Sequence, residues 1–143
     1  MQRIQWIIFV LIILTVAGCG IKAKRTSESI AFHSLGSEAA MTAVKNALIE
    51  EGFQISGTAQ NPDVVYTDWK VIELRQGPAQ LPIPAKVVIQ AYVLSDRVKI
   101  HFTYRCQYAV EGYRQCNARD KATLDSIHEL EKGISERIRS ILK

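Results

Sequence analysis

Residues 98–108 read VKIHFTYRCQY. In an extended chain Val98, Ile100, Phe102, Tyr104, Cys106 and Tyr108 project to one side. Lys99, His101, Thr103, Arg105 and Gln107 project to the other. A period of two sustained over this length predicts a strand with one buried and one wet face. Such a strand belongs to an antiparallel sheet covered on a single side.

Working outward, Ser95-Asp96-Arg97 reads as a tight turn and Ala85 to Leu94 as a preceding strand. Gln76 to Pro84 (QGPAQLPIP) reads as a loop, because prolines withhold ladder donors. Val64 to Leu74 (VVYTDWKVIEL) reads as one strand after the turn Asn61-Pro62-Asp63. Phe53-Gln54-Ile55 opens a short strand, and Tyr113 to Ala118 a last one.

Two helices flank these strands. Ala40, Val44, Ala47 and Leu48 make an apolar stripe in a helix from about Ser37 to Glu51, with Ser34 or Ser37 as cap and Gly52 as terminator. Leu124, Ile127, Leu130, Ile134, Ile138 and Ile141 make a second stripe from Ala122 to Leu142. Gly133 interrupts that helix, either for close contact with the sheet or as a tolerated accident. The expected fold is α+β over residues 34–143. It has an antiparallel four- to five-stranded sheet and two helices packed on one face, in the order α-β-β-β-β-(β)-α.

The amino-terminal residues 1–20 read MQRIQWIIFVLIILTVAGCG. Arg3 gives a positive start, Trp6 to Val16 an almost unbroken apolar run, and Ala17 and Gly18 the small residues that precede a cut. The run is short for a membrane span, which takes about 20 residues. An uncleaved anchor with an ordinary cysteine is the alternative.

Val16-Ala17-Gly18-Cys19 resembles the lipobox of bacterial lipoproteins. The resemblance implies removal of residues 1–18 as signal peptide, a diacylglycerol on the Cys19 thiol, and anchoring by two or three acyl chains, since one chain alone binds marginally. With Gly20 after the cysteine, it further implies the outer membrane, with the domain facing the periplasm. Residues 19–33 are then the lipidated cysteine and a linker. Its Lys22, Lys24 and Arg25 suit either contact with anionic headgroups or a solvated tether.

Removal of Cys19 to lipid leaves Cys106 and Cys116. With Val110-Glu111-Gly112 as a three-residue hairpin loop, Cys106 falls opposite Cys116, within disulfide reach. An oxidising compartment favours the bridge; two buried free thiols are the alternative. No C-x-x-C spacing or zinc-ligand spacing is present.

Formal net charge is +4, and +3 without Arg3, with the basic residues scattered. That balance describes a solvated surface and no nucleic-acid footprint. His33, His101 and His128 are isolated, and neither a G-x-S-x-G nor a phosphate loop occurs. Asp68 beside Trp69 is the one acid–aromatic pairing, and Glu50-Glu51 reads as a solvated helix end. No catalytic residue, metal or cofactor is assigned.

The stretch from Ala40 to Ile72, a helix, then GFQI, then a long strand with Tyr66 and Trp69, resembles the helix-grip modules of BamC-like outer-membrane assembly lipoproteins. The likeness implies a non-enzymatic accessory component that binds other envelope proteins of an assembly, secretion or pilus machine. It carries no binding residues across. The alternative is a small-ligand binder with a cavity between sheet and closing helix, its mouth lined by Trp69, Tyr92, Tyr104 and the QLPIP loop. For protein partners, the strand from Ala85 and the strand from Val64 to Leu74 are the candidate edges.

Overall fold

The computed structural model describes residues 25–33, 35–60, 62–108 and 112–143. Along the chain run β1 (Arg25–Ala31), α1 (Ser37–Glu50), β2 (Ile55–Ala59), β3 (Asp63–Thr67), β4 (Lys70–Gln76), β5 (Leu81–Val93), β6 (Arg97–Gln107), β7 (Tyr113–Arg114) and α2 (Lys121–Ile141). The strands form one antiparallel sheet ordered β1-β6-β5-β3-β2, with β4 also on β5 and β7 also on β6. The expected α+β class, antiparallel sheet and helix pair are present.

The alternation of residues 98–108 survives intact: Val98, Ile100, Phe102, Tyr104 and Cys106 are buried. They continue across the sheet into Ile83, Ala85, Val87, Ile89, Ala91 and Val93 of β5. Ala40, Val44, Ala47 and Leu48 of α1 and Ile127, Ile134 and Ile138 of α2 close over them in one core. Among the described residues no helix covers the far face of the sheet.

Five expectations need correction. Ile21 to His33 was expected to be linker, yet residues 25–31 are the edge strand β1, paired with β6 from Arg25 opposite Thr103 to Ala31 opposite Arg97. Ile30 and Phe32 bury its end. The cap of α1 is Gly36, with no side-chain cap bond; Ser37 is already helical and Ser34 lies outside the described residues.

The single strand expected over Val64 to Leu74 is two. Tyr66 pairs with Gln90 and Lys70 with Val87, so one extra residue is accommodated at Asp68-Trp69. This is bulge geometry. It turns Trp69 out to 39% exposure.

The loop expected over Gln76 to Pro84 shrinks to a turn at residues 77–80. Leu81 to Pro84 pair with β4, Arg75 opposite Pro82 and Glu73 opposite Pro84. The Arg75 N–H donates to Ser126 Oγ on α2 at 3.2 Å and so points away from β5. In such non-hydrogen-bonded pairs no donor is asked of the partner, and proline fits.

The last hairpin is also shifted. Cys106 stands opposite Arg114, not Cys116, and the expected strand to Ala118 stops at Arg114. Val110 and Glu111 of the expected loop lie outside the described residues, and Gly112 holds φ +84°. The chain leaves the ladder after Arg114, which returns Cys116 to 4.8 Å from Cys106 between Cα atoms.

Candidate functional site

Lys86 on β5 and Arg105 on β6 are direct cross-strand neighbours on the helix-free face. Like charges so placed repel. Aromatic rings offset this. The Lys86 ammonium lies 4.5 Å from the Tyr113 ring centre and 5.0 Å from that of Trp69, and the Arg105 guanidinium 5.3 Å from Trp69. Such contacts contribute roughly 0.5–1 kcal/mol each at exposed sites. Among the described residues neither cation is paired with a carboxylate. The β3–β4 side of the cluster carries the acids Asp68 and Glu73, whereas among the described residues the β6–β7 side carries none.

On the β6–β7 side the end of β6 and residues 113–119 frame an open groove of about 670 Å³. Arg105, Tyr113, Arg114, Cys116 and Arg119 line it, and among the described residues no Asp or Glu does. The Cys106–Cys116 disulfide ties this wall to β6. The Asn117 N–H donates to the Tyr108 hydroxyl at 2.7 Å, a second tie. Fixed guanidinium and ammonium donors flanked by ring faces are chemistry for holding an anion, with Arg offering the planar fork that matches phosphate or carboxylate.

β1 enters the sheet beside this groove. Arg25 is level with Thr103, two residues from Arg105, and β7 takes up the same edge of β6 at Cys106 and Gln107.

Under the opposite face, Tyr104 is buried against the carboxylate of Glu131, itself 5% exposed. Burial, then that negative charge, pushes the phenol far above its usual range. The space between sheet and closing helix near Tyr104 amounts to about 10 Å³, room for one water.

The expected ligand cavity does not form there. Trp69 stacks with Lys86 and Arg105, Tyr92 meets His101 edge-on at 5.2 Å on the helix-free face, and Tyr104 points into the core. The histidines sit on three different elements: His33 is exposed after β1, His128 exposed on α2, and His101 half-buried on β6. Among the described residues no group of three His, Cys, Asp or Glu is placed to hold a metal. Glu50 reaches Arg137 at 2.5 Å, a half-exposed tie between the helices. Cys19 lies outside the described residues.

Of the expected edges, β5 is central and unavailable. β4 is an edge on the side away from β5, and there Val71 is 69% exposed. By alternation with Arg75, the N–H groups of Val71 and Glu73 also point outward from the sheet.

No protein-family model matches the chain, and no curated protein matches it. Among solved structures it is similar to a TBP-like protein from Parabacteroides distasonis ATCC 8503, with a TM-score of 0.59 and 12% identity over 86% of this chain and 97% of that one. At that identity the likeness is one of fold.

Proposed function

We propose that the protein is a lipid-anchored, non-enzymatic accessory component of the bacterial envelope whose domain docks other envelope proteins. In this reading residues 1–18 are removed, Cys19 carries the acyl chains, and the domain faces the periplasm from the outer membrane. The VAGC sequence at 16–19, directly after an apolar run, supports the anchor.

The observation that carries the docking role is the edge of β4 at Val71 and Glu73, which no described strand pairs and which lies short of Arg75, where α2 takes the outward N–H. The outward N–H groups of Val71 and Glu73 can donate to an added strand without any rearrangement of the β4–β5 ladder. A filled interior argues for contact through the surface and against enclosure of a small ligand.

The test is a pair of proline substitutions, Val71→Pro and Glu73→Pro, in tagged protein recovered from solubilised envelopes. Both remove outward donors and leave the ladder to β5 intact. Loss of co-purifying envelope proteins, with unchanged circular dichroism and melting, is expected. Unchanged recovery of partners counts against docking through this edge.

A further inference from the structure

We infer that the cationic groove lined by Arg105, Tyr113, Arg114 and Arg119, with Lys86 and Trp69 beside it, is a seat for the phosphate headgroups of anionic lipid. The inference rests on the acylated Cys19 of the preceding section.

Its first support is distance. Six residues of chain lead from Cys19 to Arg25, where the sheet begins. Fully extended they span about 20 Å. With acyl chains in the bilayer, the start of β1 is held within that distance of the headgroups. The domain has no long stalk.

The second support is placement. Arg25 is level with Thr103, and the groove opens at the next residues of β6 and at β7 on the same edge. The end of the sheet nearest the anchor is therefore the end that carries the groove.

The third support is composition. Arginines, a lysine, a tryptophan and a tyrosine are the residues that settle at a lipid–water boundary, rings at headgroup depth and cations on phosphate. Lys22 and Lys24 of the tether share the groove's sign, so the chain's own leader repels it and adds to its pull on an anionic surface. Each cation near such a surface contributes about 1 kcal/mol.

The mature chain supplies its own probe. Of two tryptophans, Trp6 lies in the removed segment, leaving Trp69 at the site. The protein purified from membranes is placed in vesicles of phosphatidylcholine and in equimolar phosphatidylcholine–phosphatidylglycerol. In the anionic vesicles Trp69 emission is expected to shift to the blue and to be quenched by lipids brominated near the headgroup. Salt near 1 M, where the screening length is about 3 Å, should reverse the shift.

Arg119→Glu and the pair Lys86→Glu with Arg105→Glu should abolish the difference between the two vesicle types. Arg119→Glu touches no contact of Trp69, and so guards against a merely local effect on the ring. Flotation with pure phosphatidylcholine reports the acyl anchor alone, and the variants should float as the parent does. Floating protein with identical Trp69 emission in both vesicle types overturns the headgroup seat and leaves the anchor standing. Trp69 protection brought by a co-purifying acidic protein in phosphatidylcholine overturns it equally. Failure to float with phosphatidylcholine overturns the anchor.

Discussion

The Thr67 hydroxyl accepts the N–H of Ile89 at 2.9 Å, at the point where β3 ends and its ladder with β5 is broken. An inserted residue leaves a buried backbone donor on β5 with no carbonyl opposite, and a side chain 4% exposed takes that place. Thr67→Val keeps the shape and removes the acceptor. The expected loss is about 1–3 kcal/mol, the cost of an unsatisfied buried donor, with Thr67→Ser retaining most of the stability. Urea unfolding of the three proteins measures it.

The Cys106–Cys116 bridge closes a short loop, with a sequence separation of 10. On the chain-entropy account its removal costs roughly 2–3 kcal/mol. The unfolding midpoint should fall when reductant is added, and the reduced protein and the double Cys→Ala variant should agree with each other. A reduced protein as stable as the oxidised one would contradict the role given to the bridge.

Gly133 is exposed within α2, and a Cβ there would meet no atom within 4 Å. Of the two readings open from sequence, close packing is thereby set aside. Gly133→Ala should raise stability by up to about 1 kcal/mol through helix propensity alone. Thermal unfolding by far-ultraviolet circular dichroism checks the sign.

Asp120 caps α2 and also joins it to the β4–β5 turn, accepting from Thr123 N–H at 3.0 Å and Gly77 N–H at 3.1 Å. The Thr123 hydroxyl first, then these backbone donors, hold its carboxyl below the usual range. A lowered folded value means the contribution is present above the ordinary aspartate range. It is lost as pH falls through the lowered value. Asp120→Asn can still cap but has no charge to lose. Its melting temperature should therefore depend less on acid pH than that of the parent, as a series of melts from neutral to acid would record.

These elements also mark where sequence reading succeeds and stops. Residues 98–108 declare their strand because the buried side is apolar throughout. β1 hides because Arg25-Thr26-Ser27-Glu28-Ser29 offers no apolar alternation; an edge strand paired on one side needs little of it. The break between β3 and β4 hides because Asp68-Trp69 changes phase inside a run that remains β-prone on both sides. Pro82 and Pro84 mislead because proline is excluded only where a donor is required, and their pairs require none.

Cys106 and Cys116 were legible as a pair from hairpin topology and an expected oxidising compartment, though by a register that the protein does not use. The groove was not legible. Trp69, Lys86, Arg105 and Tyr113 come from four separate stretches, and only sheet order brings them together. Scattered basic residues in sequence become a local concentration of charge once β5, β6 and β7 are side by side.

The most direct measurement is the intact mass of the protein extracted from its own membranes, with fragmentation of the amino-terminal peptide. The account predicts a chain beginning at Cys19, heavier than its residues by a diacylglycerol and, where the amine is also modified, a further acyl group. A mass that retains Met1, or a chain beginning at Cys19 with no added lipid, contradicts the anchor and both surfaces whose roles depend on it.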